Sequence, residues 1–420
     1  MDLTRLDAAT FLSRKRTILA VFAAVHVLFL MLLTPHIVGG HVYADVDLYR
    51  QWAFLGRKEG VWQGIDVPWV YPVGAMLPML AASIFGHNLY MLGWFLLCTV
   101  LNLVALLTLK GSQALRLGWQ AAYLWISLIA ILGPLAFSRV DGIAAPIVVV
   151  ALVFAAQRPA VASALLSLAT WIKVWPAAVV LALLLASKAR VQVLLAGVMV
   201  SALMVASVLL GGGGENLLGF VKAQGDRGMQ LEAPFTTPGL WQAVLGLGTS
   251  VYPNVEIVTM EITGSLSDFV GTLMNPLLCL SLLLISSMIL VGVRCGVDRQ
   301  ELLMVGALAL VSAMIVFNKV GSPQFMLWLV AVICVGFAVY GRRWAVPAVA
   351  MLAIAILTTL VYPILYVQLY AFLNPGVALL LTVRNALVLG LFGWALVKLW
   401  HVARSPKRAT PMPHTVILQD

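Results

Sequence analysis

The chain has 420 residues, of which 62% are hydrophobic and only 10% are charged, and its mean hydropathy is +1.02. Soluble domains carry about 25% charged residues, so this composition excludes an ordinary soluble protein and indicates a membrane protein. The net charge of +10 would suit nucleic acid only if the basic residues clustered, but they form small groups between apolar runs. We therefore expect no nucleic-acid partner. The four cysteines lack metal-ligand spacing and imply neither a disulfide nor a zinc site.

Hydropathy predicts a polytopic, all-α bundle, because a helix that spans a membrane needs about 20 mostly apolar residues. We predict twelve helices, near 17–35, 88–108, 118–136, 141–157, 159–172, 175–187, 191–211, 272–293, 301–317, 324–340, 345–362 and 380–400. The first has no small-x-small cleavage site after it, so we interpret it as a retained helix. The fifth and sixth are short, and one continuous helix over 159–187 is the alternative. That alternative would reverse the orientation of every later helix.

The distribution of lysine and arginine favours twelve helices over this alternative. With both termini in the cytoplasm, most basic residues lie in inner connections and most acidic residues lie outside, as the positive-inside rule requires. Residues 71–86 are apolar enough for another span, but that span would move the later basic pairs outside. We therefore predict that this segment lies along the outer interface.

The predicted topology is a single integral-membrane domain, 1–420, in the plasma membrane. It has two large outer loops, at 36–87 and 212–271, and a cytoplasmic tail at 402–420. Because the inner connections are all short, we expect the chemistry to occur on the outer face.

The first outer loop begins an interfacial helix that reaches about Gly60 and carries Asp45, Asp47 and Tyr49. One interpretation is that an aspartate caps this helix. The other is that a carboxylate at the membrane surface acts as a general base for a hydroxyl group. Two acids at this spacing are also compatible with a divalent metal, although they are weak evidence for one.

The short outer turns contain ionisable residues next to apolar helices. They are Arg139 and Asp141, then Lys173, then Lys319, and Arg384 near the outer end of the last helix. Charges at such depths are costly unless they are paired or face water, so they are candidate functional residues. Snorkelling, or a structural pair of Arg139 with Asp141, is the alternative. Four cations from separate turns would together suit an anionic group such as phosphate.

The second outer loop contains the sequence Gln-Gly-Asp-Arg-Gly-Met-Gln-Leu-Glu over 224–232. Arg227, Gln230 and Glu232 would suit a sugar or a lipid headgroup. An ordinary solvated loop is the alternative.

Several short motifs together resemble the GT-C superfamily of membrane glycosyltransferases, and most closely glycosyltransferase family 87. The segments that carry the resemblance are Asp-Val-Asp-Leu-Tyr at 45–49, Tyr-Pro at 71–72, Ile-Lys-Val-Trp-Pro at 172–176, 226–232, Ser-Pro-Gln-Phe at 322–325 and Leu-Trp-Leu at 327–329. That family includes actinobacterial mannosyltransferases that use polyprenyl-phosphate mannose, and related arabinofuranosyltransferases. The chain departs from the family pattern at two points. Val73 stands where the family usually has a second proline after Tyr-Pro, and Ser-Arg-Val-Asp at 138–141 stands where many members have Gly-Gln. Both departures concern the sugar specificity more than the fold.

The resemblance implies that a first-loop aspartate is the catalytic base, and an acid four residues before tyrosine favours Asp45 over Asp47. The implied reaction moves a sugar, with mannose as the first candidate, from a polyprenyl-phosphate donor to a hydroxyl of a glycolipid or polysaccharide in cell-envelope synthesis. The cations of the outer turns would hold the phosphate, and Gln324 and Tyr49 would position sugar hydroxyls.

Two alternatives remain from the sequence. One is an arabinofuranosyltransferase of the same family. The other is a secondary transporter or lipid flippase, but such proteins usually place their ionisable residues near the bilayer midplane. The charges of this chain collect at one face, beside two large loops, and therefore favour the enzyme.

Overall fold

A computed structural model describes residues 10–112, 115–225, 227–254 and 259–405, with the backbone alone at 223–225. The first part of the chain forms the helices α1 Lys15–Val38, α2 Val46–Glu59, α3 Met76–Ala82, α4 Tyr90–Gly111, α5 Gly118–Leu132, α6 Pro134–Ser138, α7 Asp141–Phe154, α8 Pro159–Ile172, α9 Pro176–Ala186 and α10 Arg190–Leu210. The second part forms α11 Gly219–Gly225, α12 Thr237–Val244, β1 Ser250–Asn254, β2 Thr259–Thr263, α13 Ser265–Arg294, α14 Arg299–Val316, α15 Met326–Tyr340, α16 Ala345–Thr359, α17 Tyr366–Tyr370 and α18 Pro375–Arg404.

The predicted all-α membrane architecture is confirmed. In the described ranges, seven helical stretches are long and apolar enough to cross a membrane, and shorter apolar helices lie between them. Each of the twelve predicted helices is present. The chain also breaks between α8 and α9, where Lys173 is extended and Pro176 begins the next helix. A continuous helix over 159–187 is therefore wrong.

Prolines at the first turn explain where several of these short helices begin. Pro134, Pro159 and Pro176 each stand at the start of a helix, where the missing amide hydrogen is not needed and the fixed φ suits the helix. Pro146 and Pro276 lie inside α7 and α13 without ending those helices, so a proline indicates a helix start only where it stands in the first turn. The chain therefore contains pairs of short helices that meet at sharp turns, and these turns carry the charged residues.

The centre of the bundle consists of α7, α14 and α15, whose side chains are mostly buried. Helix α7 packs on α4, α8 and α15, while α14 packs on α9, α13 and α18. The peripheral helices α10 and α13 leave most of their apolar side chains exposed or only partly buried. Exposed leucine and valine along a whole helix are expected where the surrounding solvent is lipid.

Several connections between helices contact one another at one end of the bundle, which we call the polar end: Asp45 pairs with Arg139, Lys173 with Asp141, and Gln230 bonds to Lys319. This end carries the loop from α1 to α4, which contains α2 and α3, and the loop from α10 to α13. Helix α3 and the 3₁₀ turns on either side form a short apolar helical segment, Val73–Phe85. Its placement along the outer interface stays a prediction.

The second loop contains an antiparallel hairpin that the sequence did not predict. Strand β1 pairs with β2, with Val251 opposite Ile262. The loop packs closely on the turn between α14 and α15. A Cβ atom at Gly321 would lie 2.0 Å from the backbone nitrogen of Ala233, so only glycine allows this approach.

Candidate active site

Asp45 stands at the start of α2, but its carboxylate makes no hydrogen bond to the helix. The predicted capping role is therefore wrong for Asp45. Its carboxylate instead forms an ion pair with the guanidinium of Arg139, which comes from the turn between α6 and α7. The Asp45 side chain is 29% exposed, which leaves part of the carboxylate accessible. Asp45 thus faces the meeting point of several turns.

Asp47 has a different environment. Its carboxylate accepts hydrogen bonds from Arg50 at 2.6 Å and from Gln51 at 3.0 Å, both one turn further along α2. Arg50 also donates to the carbonyl of Gly40. These local contacts tie Asp47 to its own helix and to the end of α1, whereas Asp45 contacts a different part of the chain.

Arg139 lies at the centre of the site. Besides its ion pair with Asp45, it donates from Nη2 to the hydroxyl of Tyr362 at 3.3 Å. The turn that carries Arg139 is tight, because a Cβ atom at Gly142 would lie 2.0 Å from the carbonyl oxygen of Ala136. The side chain of Arg139 is 14% exposed, so its contacts are largely shielded from water.

The alternative of an Arg139–Asp141 structural pair is wrong. Asp141 is buried at the start of α7, and its carboxylate accepts a hydrogen bond from Trp328 Nε1 at 2.6 Å. Its other oxygen lies 3.7 Å from the ammonium of Lys173, which also stands 4.6 Å from the centre of the Tyr71 ring. Lys173 therefore has both a carboxylate and an aromatic face as partners.

Tyr49 connects the first loop to the same turns. Its hydroxyl accepts a hydrogen bond from the backbone N–H of Val140 at 3.4 Å and lies 3.5 Å from the hydroxyl of Tyr71. Burial raises the pKa of Tyr49, so the phenol stays protonated. Because these contacts occupy its hydroxyl, Tyr49 positions the residues on either side of Val140.

The second loop places Glu232 beside Arg384 of α18. Nη2 of Arg384, which is fully buried, donates to the backbone carbonyl of Glu232 at 3.0 Å. Burial raises the pKa of the Glu232 carboxyl to about 7, although the charges of Arg384 and Arg139 and a hydrogen bond with Tyr366 act in the opposite direction. Glu232 and Asp45 therefore both interact with Arg139.

The turn between α14 and α15 is fixed by Gln230. The N–H of Gln230 donates to the carbonyl of Lys319 at 2.9 Å, and its side-chain oxygen accepts from the N–H of Gly321 at 3.2 Å. Within the described ranges, no ion pair joins the Lys319 ammonium to a carboxylate. Gln324 is buried in the 3₁₀ turn that precedes α15.

Arg227 lies near the same end of the bundle and is half-buried. Burial lowers the pKa of Arg227, while Tyr71 and Glu261 act in the opposite direction. Glu261 belongs to the hairpin and accepts a hydrogen bond from Tyr252 at 2.8 Å. The neighbouring Asp226, which is part of the motif 226–232, lies outside the described residues.

The structure adds contact residues that were not among the predicted site residues. Tyr71 contacts Lys173 and Tyr49, Trp328 donates a hydrogen bond to Asp141, and Tyr362 and Tyr366 contact Arg139 and Glu232. Tyr362 and Tyr366 lie around the break between α16 and α17, and the Tyr-Pro pair at 362–363 was a signal for that break. In the part of the chain that the structure describes, no group of three or more His, Cys, Asp or Glu residues is placed to hold a metal ion.

This arrangement is typical of a membrane-embedded enzyme: carboxylates and cations from separate turns meet at one end of a helical bundle that spans the membrane. The family model of glycosyltransferase family 87 matches residues 69–312, which is more than half of the chain. The chain belongs to glycosyltransferase family 87, and it is a multi-pass membrane glycosyltransferase. None of the curated proteins compared with the chain matches it.

Proposed function

We propose that the enzyme transfers mannose from a polyprenyl-phosphate donor to a hydroxyl group of a glycolipid or glycan. The acceptor lies on the outer face of the plasma membrane, both termini lie in the cytoplasm, and the polar end faces outward. The membership of family 87 supports the glycosyl transfer, and the positive-inside pattern supports the orientation.

Asp45 is the catalytic base in this proposal. The observation that carries it is the position of Asp45 in the site: its partly exposed carboxylate contacts Arg139 from another turn, while Asp47 is bound within its own helix. Asp45 takes the proton of the acceptor hydroxyl as that oxygen attacks the anomeric carbon. The new carbon–oxygen bond forms as the bond to the phosphate oxygen breaks, so the anomeric configuration inverts. One base is sufficient for this single displacement, unlike the paired carboxylates of most glycoside hydrolases.

The donor phosphate needs positive charge, and in this proposal Lys319, Arg384 and Arg139 provide it. Lys319 is the first candidate, because no carboxylate of the described residues neutralises it, and Arg384 lies beside the same loop. Arg139 lies between this side and Asp45 and would stabilise the charge that develops on the leaving phosphate. Lys173 contributes less in this proposal, since Asp141 already balances its charge.

Incubation of the purified protein with a panel of polyprenyl-phosphate sugars and membrane lipids tests this function. The panel includes mannosyl and arabinofuranosyl donors, with nucleotide sugars as the control, and mass spectrometry detects the product. We expect a glycosylated lipid or glycan from the mannosyl donor. Transfer from the arabinofuranosyl donor alone would change the sugar, and transfer from nucleotide sugars alone would refute the donor class.

A further inference from the structure

Glu232 is a buried carboxyl group among the cations of the site. It comes from the second loop, and its backbone is held against α18 by the hydrogen bond from Arg384. Only 7% of the surface of Glu232 is exposed. A buried glutamate usually has a dedicated cation that forms an ion pair with it, but within the described ranges no salt bridge involves the Glu232 carboxylate.

The charged and titratable groups around Glu232 come from three other elements. Arg384 lies on α18, Arg139 lies in the turn between α6 and α7, and Tyr366 of α17 forms a hydrogen bond with the carboxyl group. Arg139 in turn forms an ion pair with Asp45. Burial raises the pKa of Tyr366, so its hydroxyl remains a neutral donor at physiological pH. The group that can change its charge near neutrality on this side of the site is therefore Glu232 itself.

A donor with a phosphodiester linkage carries one negative charge and does not titrate near neutral pH. If its phosphate lies against Arg384 and Lys319, it comes close to the Glu232 carboxyl in a region that excludes water. Two anions in such a place repel each other strongly, whereas a neutral carboxylic acid can donate its hydrogen to a phosphate oxygen.

We propose that the donor binds to the form of the protein in which Glu232 is neutral, so that at alkaline pH the protein takes up one proton from solvent for each phosphodiester donor that it binds. The neutral Glu232 donates its O–H to the donor phosphate and accepts from Tyr366 on its other oxygen. This inference rests on the proposed donor class.

The direction in which donor affinity changes with pH follows from the protonation of Glu232 in the donor-free protein. The pKa of Glu232 is about 7 without the donor, and a neighbouring phosphate anion raises it further. Below that value the carboxyl group is already neutral and donor affinity is highest. Above it, each additional pH unit lowers the affinity about tenfold, because the proton must first be bound.

The experiment measures the dissociation constant of a short-chain prenyl-phosphate mannose in detergent between about pH 6 and about pH 9. The wild type, Glu232→Gln and Glu261→Gln are compared. Glutamine resembles the neutral glutamic acid, so we expect Glu232→Gln to bind tightly with little dependence on pH. Glu261→Gln changes a buried glutamate of the same loop that bonds to Tyr252, and it should keep the wild-type slope.

A second measurement needs no variant. Calorimetry of the wild type at about pH 8, in buffers with different ionisation enthalpies, should show uptake of about one proton per donor. Equal slopes for wild type and Glu232→Gln, or no proton uptake, would overturn the coupling while the donor class stands. Failure of the wild type to bind the prenyl-phosphate donor at any pH would instead refute the proposed function.

Discussion

The pair of Asp141 and Lys173 allows a quantitative prediction about stability. The two charged atoms lie 3.7 Å apart, which at an effective dielectric constant of about 20 corresponds to about 4 kcal/mol of attraction. The Lys173 side chain is 19% exposed, so we reduce this to about 2 kcal/mol for screening by water. We expect Lys173→Met to destabilise the protein by about 3 kcal/mol, since it leaves the buried Asp141 carboxylate without its cation.

Asp141→Asn should cost less, about 2 kcal/mol, for two reasons. The new amide oxygen can still accept from Trp328, and Lys173 keeps its contact with the Tyr71 ring. The double variant should cost about as much as Lys173→Met alone, which gives a coupling energy of about 2 kcal/mol. The assay is reversible unfolding in mixed micelles, followed by tryptophan fluorescence. If the two single effects add to within about 0.5 kcal/mol, the two side chains do not interact and this part of the site is wrong.

The remaining predictions concern the phosphate side, the loop contact and the orientation. Lys319→Met should weaken donor binding by about tenfold or more, as expected for loss of a charge-assisted contact. The control is Lys222→Met, at an exposed lysine of the second loop, which should leave the affinity unchanged. Equal affinities of the two variants in a binding assay would contradict the role of Lys319. Gly321→Ala should release the second loop and lower activity, because its Cβ overlaps the backbone of Ala233; normal activity and normal protease resistance of the loop would contradict this packing. The exposed Cys295 should react with a membrane-impermeant maleimide only after permeabilisation of cells, and labelling in intact cells would reverse the proposed topology.

Much of the fold was predictable because hydropathy determines where helices form in a membrane protein. Apolar length located the helices, and the distribution of lysine and arginine favoured the break that the structure places at Lys173, before the Pro176 that begins α9. The strand pair Ser250–Asn254 and Thr259–Thr263 was not predicted, because each strand has only five residues and Pro253 lies inside the first, although the second alternates polar and apolar residues.

The site was predictable as a set of charges but not as a set of contacts. The cost of a charge near the membrane identified Arg139, Asp141 and Lys173 as candidates. Which of them pair depends on how α7, α8 and α15 pack, and the sequence spacing of two residues between Arg139 and Asp141 suggested the wrong pair. The hydrogen bond from Trp328 to Asp141 joins residues 187 positions apart and leaves no local signal. Tyr362 was not predicted as a site residue because the apolar run of α16 continues into it, although the Tyr-Pro pair at 362–363 signalled a helix break.

The most direct test of the account is the rate of transfer by Asp45→Asn, compared with that of Asp47→Asn, at saturating donor. Loss of a general base lowers a rate by about 10²- to 10⁴-fold, and we expect this loss for Asp45→Asn with donor binding retained. Asp47→Asn should keep most of the activity, since the hydrogen bonds of the Asp47 carboxylate among the described residues come from Arg50 and Gln51 of its own helix. Near-normal transfer by Asp45→Asn, with a loss in Asp47→Asn instead, would contradict the assignment of Asp45 as the catalytic base.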